Sequence, residues 1–308
     1  MITTVTLNPM LDKTVTVDSL RRGKVTRASH VAAVVGGKGV NVSRQLRALG
    51  EATVATGFAG GEVGSLLERL LDQEGIRHDF VRVAGMTREG VTYRETDGTV
   101  TSVFEPSPVV TTEEAARLIE KCRLLAGTSA WVVCSGSSPS SAADGVFGTI
   151  TGECRTRGIP VVLDSYGVAL ERAVGGGPSL VKPNREEYEK TYGRTLNTEL
   201  DMVDAARDLV RRGAEFGVIT DGPRAFTAAT REAAWIVTPP AVEQVNATGS
   251  GDSMIAALLH GMLQGWSFDD SLAFGAAAGA ANARVWGVAA ASRAEIVALL
   301  SRVAISRV

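Results

Sequence analysis

The chain has 308 residues, 44% of them hydrophobic and 21% charged, and a formal net charge of −2. This is ordinary soluble globular composition, with enough apolar material for one large domain or two small ones. The near-neutral balance gives no electrostatic reason to expect nucleic acid or an anionic membrane as a partner.

The opening "MITTVTLNPMLDK" has no basic region followed by a long apolar run, so no secretory signal is expected, and "ITTVTL" predicts a strand. "DKTVTVDSL" and "SHVAAVV" then alternate apolar and polar residues, as does "EGVTYRETDGTVTSVFE" with its turn-like Asp97-Gly98. These break the rhythm of the rest and predict a small β lid, formed from about 11–34 and 88–107, over a site in a single domain of residues 1–308. Elsewhere strands and helices alternate. "NVSRQLRALG" predicts a helix ending at Gly50, "ATVATGF" a strand, and "EVGSLLERLLDQEG" a helix ending at Gly75. Strand "AWVVCSG", helix "VFGTITGECRTRG", strands "PVVLDS" and "SLVKPN", helix "MVDAARDLVRRG" and strand "FGVITDG" follow. Such alternation implies a mostly parallel sheet with helices on both faces, whose ligands bind beyond the carboxyl ends of the strands. The polar clusters "CSGSS", "LDSYG", "VKPN" and "ITDG" all fall at those ends.

Towards the C-terminus, Met254, Ile255, Leu258, Leu259 and Met262 recur at helical spacing, so a helix is predicted to begin near Ser250. "FGAAAGAANARVWGVAAA" is interrupted by Asn282 and Arg284, too early for a membrane span, and predicts a tightly packed core helix. Cys122, Cys134 and Cys154 lack C-x-x-C spacing, which points to a reducing cytoplasm rather than disulfides or a thiolate zinc site. The three histidines are scattered, as structural or exposed residues are.

Two stretches carry candidate chemistry. In "NATGSGDSM" the glycines expose backbone N–H groups at a helix start, which with the helix dipole make an anion site beside Asp252. The same residues also read as a tight loop with Asp252 capping the first turn. In "VVGGKGVNVSRQLRALG" a Walker A loop would need Gly at Ala32, and a dinucleotide fingerprint would need Gly or Ala at Val42. Neither fits. What remains is a loop with approachable backbone at Gly36, Gly37 and Gly39 before a helix starting at Asn41, suited to a polyhydroxyl ligand or simply a turn and cap. "NREE", from Asn184 to Glu187, likewise reads by itself as an ordinary helix start.

Taken together, "GGKGVNVSRQLRALG" and "NATGSGDSM" resemble the paired signatures of the ribokinase-like sugar kinases, the phosphofructokinase B family. "SGSSP", "LDSYG", "VKPNREE" and "ITDGPRA" lie between them in the family's order. "TVTLNPMLD" resembles the branch acting on phosphorylated hexoses, which includes 1-phosphofructokinases, tagatose-6-phosphate kinases and related 6-phosphofructokinases. The resemblance covers essentially the whole chain. It implies an αβα three-layer core with a β lid, often dimeric through that lid, using ATP and Mg2+ to phosphorylate a ketohexose phosphate. Fructose 1-phosphate is slightly favoured over tagatose 6-phosphate and fructose 6-phosphate. A kinase of an unphosphorylated sugar or nucleoside, and a sensor built on an inactive kinase scaffold, are the alternatives.

The same similarity implies roles by position. Gly249, Ser250 and Gly251 are the anion hole and Asp252 the general base. Asp12 holds sugar hydroxyls, Gly37, Lys38, Asn41 and Ser137 contact the sugar, and Arg88 grips its phosphate, geometry that suits a guanidinium. Lys24 and Arg27 add charge there or merely solvate a lid strand. Asn184 and Glu187 form the N-x-x-E element that organises Mg2+, an ion satisfied by few protein oxygens, with Asp164 joining that network. Thr220, Gly222, Thr248 and Asn282 line the nucleotide side. Ser107, Ser138, Ser141 and Ala225 depart from the family pattern without removing a catalytic group.

Overall fold

The computed structural model describes residues 1–308. The chain runs β1 (Ile2–Thr6), β2 (Met10–Val17), β3 (His30–Gly36), α1 (Lys38–Ala48), β4 (Thr53–Gly60), α2 (Gly61–Glu74), β5 (Val81–Val83), β6 (Arg88–Glu95) and β7 (Val100–Phe104). It continues through α3 (Thr112–Ala126), β8 (Trp131–Ser135), α4 (Val146–Thr156), β9 (Val161–Asp164), α5 (Gly167–Val174), β10 (Leu180–Val181), α6 (Arg185–Tyr192) and α7 (Glu199–Arg212). The C-terminal part comprises β11 (Phe216–Ile219), β12 (Phe226–Ala229), β13 (Ala234–Thr238), α8 (Ser250–Leu263), α9 (Phe268–Ala283), α10 (Arg293–Leu300) and β14 (Ala304–Arg307).

Ten strands form one sheet in the order β14-β13-β12-β11-β10-β9-β8-β1-β4-β5. From β5 to β11 every pairing is parallel. Successive residues feed opposite faces. Val132 and Cys134 of β8 join one apolar cluster with Leu118, Phe147 and Leu209, while Trp131 and Val133 join a second with Val42, Ile255 and Leu259. Helices therefore cover both sides, as a parallel sheet requires. β12, β13 and β14 extend the edge in antiparallel fashion, a meander that the alternating pattern did not announce.

A separate four-stranded sheet has the order β3-β2-β6-β7. It matches the two segments whose alternation stood apart, and Asp97 caps the β6–β7 turn by accepting from Thr99 N–H at 2.8 Å. In this sheet β2 pairs parallel with β6, bringing Met10 opposite Arg88 and Asp12 opposite Gly90. Since alternate residues share a face, Asp12 and Arg88 project from the same side.

Two boundaries differ from expectation. α1 begins at Lys38, three residues before Asn41, so Gly39 is helical rather than part of a loop. A Cβ on Gly39 would lie 2.4 Å from Thr6 Oγ1, so this glycine serves the close approach of α1 to β1. The alanine-rich helix stops at Ala283, and residues 284–291 form an irregular loop. Ala289 in that loop is the one non-glycine residue with positive φ, at 54°, and its N–H is held by Asn282 Oδ1 at 2.6 Å. The Asn282 amide thus captures the chain just past the helix end. No helix is long and apolar enough to cross a membrane.

Candidate active site

A cleft of about 710 Å³ lies beyond the carboxyl ends of β1, β8, β9, β10 and β11. Asn8, Gly136, Asp164, Lys182 and Thr220 line it from those strand ends, and Met10, Asp12, Val34 and Arg88 line it from the small sheet. Of the predicted site residues, all but Asn282 line this one cavity.

The N-termini of α1 and α8 both open into the cleft. Gly249 caps α8 at φ 80° with no side-chain cap, so Asp252 does not serve as the N-cap. Ser250 N–H turns back to Ala247 O at 3.1 Å, which removes it from the expected anion hole. The N–H groups of Gly249, Gly251 and Asp252 itself have no protein acceptor and are the open donors. α1 is likewise capped by a bare Gly37, at φ 127°. Two helix dipoles and their free N–H groups therefore favour anions here.

Asp252 is buried, and its carboxylate accepts from Asn41 Nδ2 at 2.8 Å. Burial and the charge of Asp164 push its pKa up to about 6, against Lys38, Asn41 and Lys182, which pull the other way. Asp164 is equally buried, yet the ammonium groups of Lys182 and Lys38 outweigh the burial cost and hold it below the usual carboxylate range. Lys38 Nζ bridges Asp164 Oδ1 at 3.0 Å and Glu187 Oε1 at 2.5 Å. Burial would lower its pKa, but those two carboxylates and Asp252 keep it firmly charged. Lys38 lines the cleft with Gly37 and Asn41, and its ammonium points at the acidic floor.

The other end of the cleft is built differently. Asp12 is half-buried, with one carboxylate oxygen lacking a partner, and burial raises its pKa. Arg88 forms no ion pair; burial lowers its pKa, and its guanidinium stays charged as arginine does. Asn8 Nδ2 donates to Ser107 Oγ at 2.8 Å and to Ser137 Oγ at 3.3 Å, so the unusual Ser107 ties the chain leaving the small sheet to β1 and the "CSGSS" loop. Lys24 and Arg27 are not part of the cleft lining.

Asn184 and Glu187 form a capping box for α6: Asn184 Oδ1 accepts from Glu187 N–H, and Glu187 Oε2 accepts from Asn184 N–H. The helix-start reading of "NREE" holds, and it engages one lone pair of the Asn184 oxygen. Glu187 Oε1 and Asp164 remain turned toward the same cation, Lys38. Thr220, Gly222 and Thr248 also line the cleft. Asn282 is fully buried and does not line the cleft, contrary to its expected place in an adenine pocket. Its amide bonds Thr248 O, Ser250 Oγ and Ala289 N–H, bracing the glycine turn instead.

Lys182 was missed. It is 3% exposed, pairs with Asp164 at 3.7 Å, and its Nζ is 3.3 Å from where a Gly251 Cβ would stand. The signal was a lysine at the end of an otherwise apolar strand in "LVKPN", because lysine is almost never buried unless paired.

The family model described as pfkB family carbohydrate kinase matches residues 6–295. The ATP-dependent 6-phosphofructokinase isozyme 2 of Mycobacterium tuberculosis is 34% identical over 297 residues, covering 96% of this chain and 87% of that relative. Phosphofructokinase-2 from Escherichia coli superposes with a TM-score of 0.91 at 28% identity, covering 97% of this chain and 98% of that one. A protein described as a possible 1-phosphofructokinase from Thermotoga maritima gives 0.90 at 29% identity, covering 100% and 99%.

The brace at Asn282 makes a stability prediction. Asn282→Ala leaves Thr248 O and the Ala289 N–H without their partner, and each unsatisfied buried group costs about 1–3 kcal/mol. A lowered melting midpoint and faster hydrogen exchange over residues 284–290 are expected. An unchanged midpoint with unchanged exchange would show that the amide braces nothing.

Proposed function

Because the chain belongs to the pfkB family of carbohydrate kinases, we propose that it transfers the γ-phosphoryl group of ATP to a hydroxyl of a ketohexose phosphate. The favoured substrate is fructose 1-phosphate, giving fructose 1,6-bisphosphate. One observation carries this reading: a single cleft holds a buried carboxylate beside open helix N–H donors at one end and an arginine without any acidic partner at the other. The name of the Mycobacterium tuberculosis relative favours fructose 6-phosphate as a second reading. Tagatose 6-phosphate is the third. Measuring ADP release over these three sugar phosphates, free fructose and a nucleoside decides between them.

In this mechanism Asp12 and Asn41 hold sugar hydroxyls, with Gly37 and Ser137 completing that wall, and Arg88 takes the substrate's phosphate. Asp252 accepts the proton of the attacking hydroxyl as the new O–P bond forms. The bond between the γ-phosphorus and the β,γ-bridging oxygen breaks, and its electron pair leaves with ADP. The N–H groups of Gly249 and Gly251, with Lys38 and Lys182, meet the negative charge that spreads over the transferring group. Thr220, Gly222 and Thr248 form the nucleotide wall. Glu187 and Asp164 supply hard oxygens at the edge of the cleft and, with phosphate oxygens and water, would hold Mg2+ beside the Lys38 ammonium. Bound there, Mg2+ would neutralise phosphate charge.

We read residues 1–308 as one kinase domain with the small sheet as its lid. The lid leaves Val31, Val34, Val100, Val103 and Phe104 exposed, which supports a homodimer formed through it. Three buried free cysteines support a cytoplasmic setting.

Asp252→Asn should lower kcat by about 10²–10⁴-fold, the usual contribution of a general base, while calorimetry shows ATP and sugar phosphate still bound. In the wild type the base works only when ionised. Since its pKa is raised to about 6, kcat/KM should be flat above neutrality and fall about tenfold per pH unit well below 6. A mutant turning over within a few-fold of wild type would remove Asp252 from this role.

Arg88→Ala should cut kcat/KM for the true sugar phosphate at least about tenfold, because a hydrogen bond to a charged group is worth roughly 1.5–3 kcal/mol. Activity on free ketohexose should barely move. If free fructose is the best substrate and Arg88→Ala is silent, the sugar-phosphate assignment is wrong.

Glu187→Gln should raise the Mg2+ concentration for half-maximal rate by more than it raises KM for the sugar phosphate. Unchanged Mg2+ dependence would leave Glu187 as a helix cap and a partner of Lys38.

A further inference from the structure

Asn41 spans two partners of opposite character. Its Nδ2 donates to Asp252 Oδ2 at 2.8 Å, and its Oδ1 accepts from Arg44 Nη1 at 2.7 Å. Arginine carries donors only, so the amide cannot turn over without setting its NH2 against the guanidinium and its carbonyl against the carboxylate. Arg44 is itself fixed. Its Nε and Nη2 fork onto Glu74 Oε2 at 2.5 Å and Oε1 at 3.1 Å, and Nη2 also donates to Val35 O at 2.8 Å. The Arg44 side chain is only 12% exposed. Neither Arg44 nor Glu74 lines the cleft, so neither can touch a ligand there.

We propose that Glu74 and Arg44 are positioning residues for phosphoryl transfer, fixing the Asn41 amide and through it the orientation and basicity of Asp252. The proposal rests on the reading of Asp252 as the base. The carboxylate is faced by Asp164 from β9, by Lys38 from the first turn of α1 and by Lys182 beyond β10, besides Asn41. Those charges set its average acidity. The Asn41 hydrogen bond is the contact that picks one rotamer and favours the ionised form. A bidentate guanidinium–carboxylate pair is rigid enough to hold such an orientation, which a lysine would hold only as a point charge.

The test is Arg44→Met alongside Arg44→Lys and Glu74→Gln, each measured for kcat, both KM values and the pH dependence of kcat. In Arg44→Met the acid limb should move up by about half a pH unit or more, because the Asn41 amide is no longer held with its NH2 toward the ionised carboxylate and that hydrogen bond weakens. The plateau of kcat should fall several-fold, more than either KM changes. Arg44→Lys and Glu74→Gln should show the same changes at smaller amplitude. If Arg44→Met fails to fold, those two variants carry the same readings. A lowered melting midpoint with the acid limb and kcat plateau unmoved would overturn the proposal, leaving the pair as a staple between α1 and α2. If Asp252→Asn also retains normal turnover, the base assignment has failed. If Asp252→Asn is inactive while Arg44→Met is unaltered, only the positioning role falls.

Discussion

Two carboxylates stand nearly dehydrated at the bottom of one cleft, Asp164 at 1% and Asp252 at 5% exposure, and the site depends on how that burial is offset. Unpaired buried charges neutralise by shifting their pKa instead of persisting. Here the compensation is Lys182 together with Lys38, which is held between Asp164 and Glu187. Lys38 can reach them only because α1 starts at residue 38 and presses close to β1. Gly37 and Gly39 permit that approach, since a Cβ on either would meet the Thr6 side chain within 2.8 Å. The glycines of "GGKG" are thus first a packing requirement. The exposed N–H groups and the placement of the cation follow from it.

The same arrangement pushes the two acids apart. Lys182 and Lys38 hold Asp164 ionised, while burial, with the negative charge of its neighbour added, raises Asp252 to about 6. Pairs of titratable groups whose environments separate their pKa values divide the chemical work. One carboxylate is suited to holding cations at any ordinary pH, the other to accepting a proton near neutrality. Lys38 links the two, because removing it would raise both.

Much of this was legible in the sequence. The parallel core followed from strand–helix alternation, the small sheet from period-two stretches, and the α8 start from bare glycines before an apolar helical pattern. Nearly all the marked polar residues lie in one cleft because ligand sites in such sheets gather at strand ends. What escaped were properties of side-chain direction. Sequence places Lys38 in a sugar loop but does not show which wall its four-carbon stem follows. Asn282 sits between alanines, where a buried amide facing inward looks the same as one facing a ligand. Lys182 follows a two-residue strand, too short for periodicity to reveal which way the next side chain faces. The edge strands β12 to β14 were missed because antiparallel additions do not disturb the alternation that identified the core.

The two ends of the cleft are also joined mechanically. Asn282 secures Ala289, and the neighbouring Val288 packs so closely on Gly249 that a Cβ there would lie 2.6 Å from Val288 Cγ1. The glycine turn at the head of α8 therefore keeps its shape only while the 284–291 loop is in place. Arg94, on the small sheet, rests over the Trp286 ring of that loop, with its guanidinium carbon 4.4 Å from the ring centroid. Asn246 Nδ2, at the start of the glycine turn, bonds the Trp286 carbonyl at 3.0 Å. A cation–π contact at an exposed site is worth about 0.5–1 kcal/mol, little more than thermal energy. The small sheet thus touches the loop that shapes the anion site through a contact weak enough to break and re-form, while the brace beneath it is buried and hydrogen-bonded.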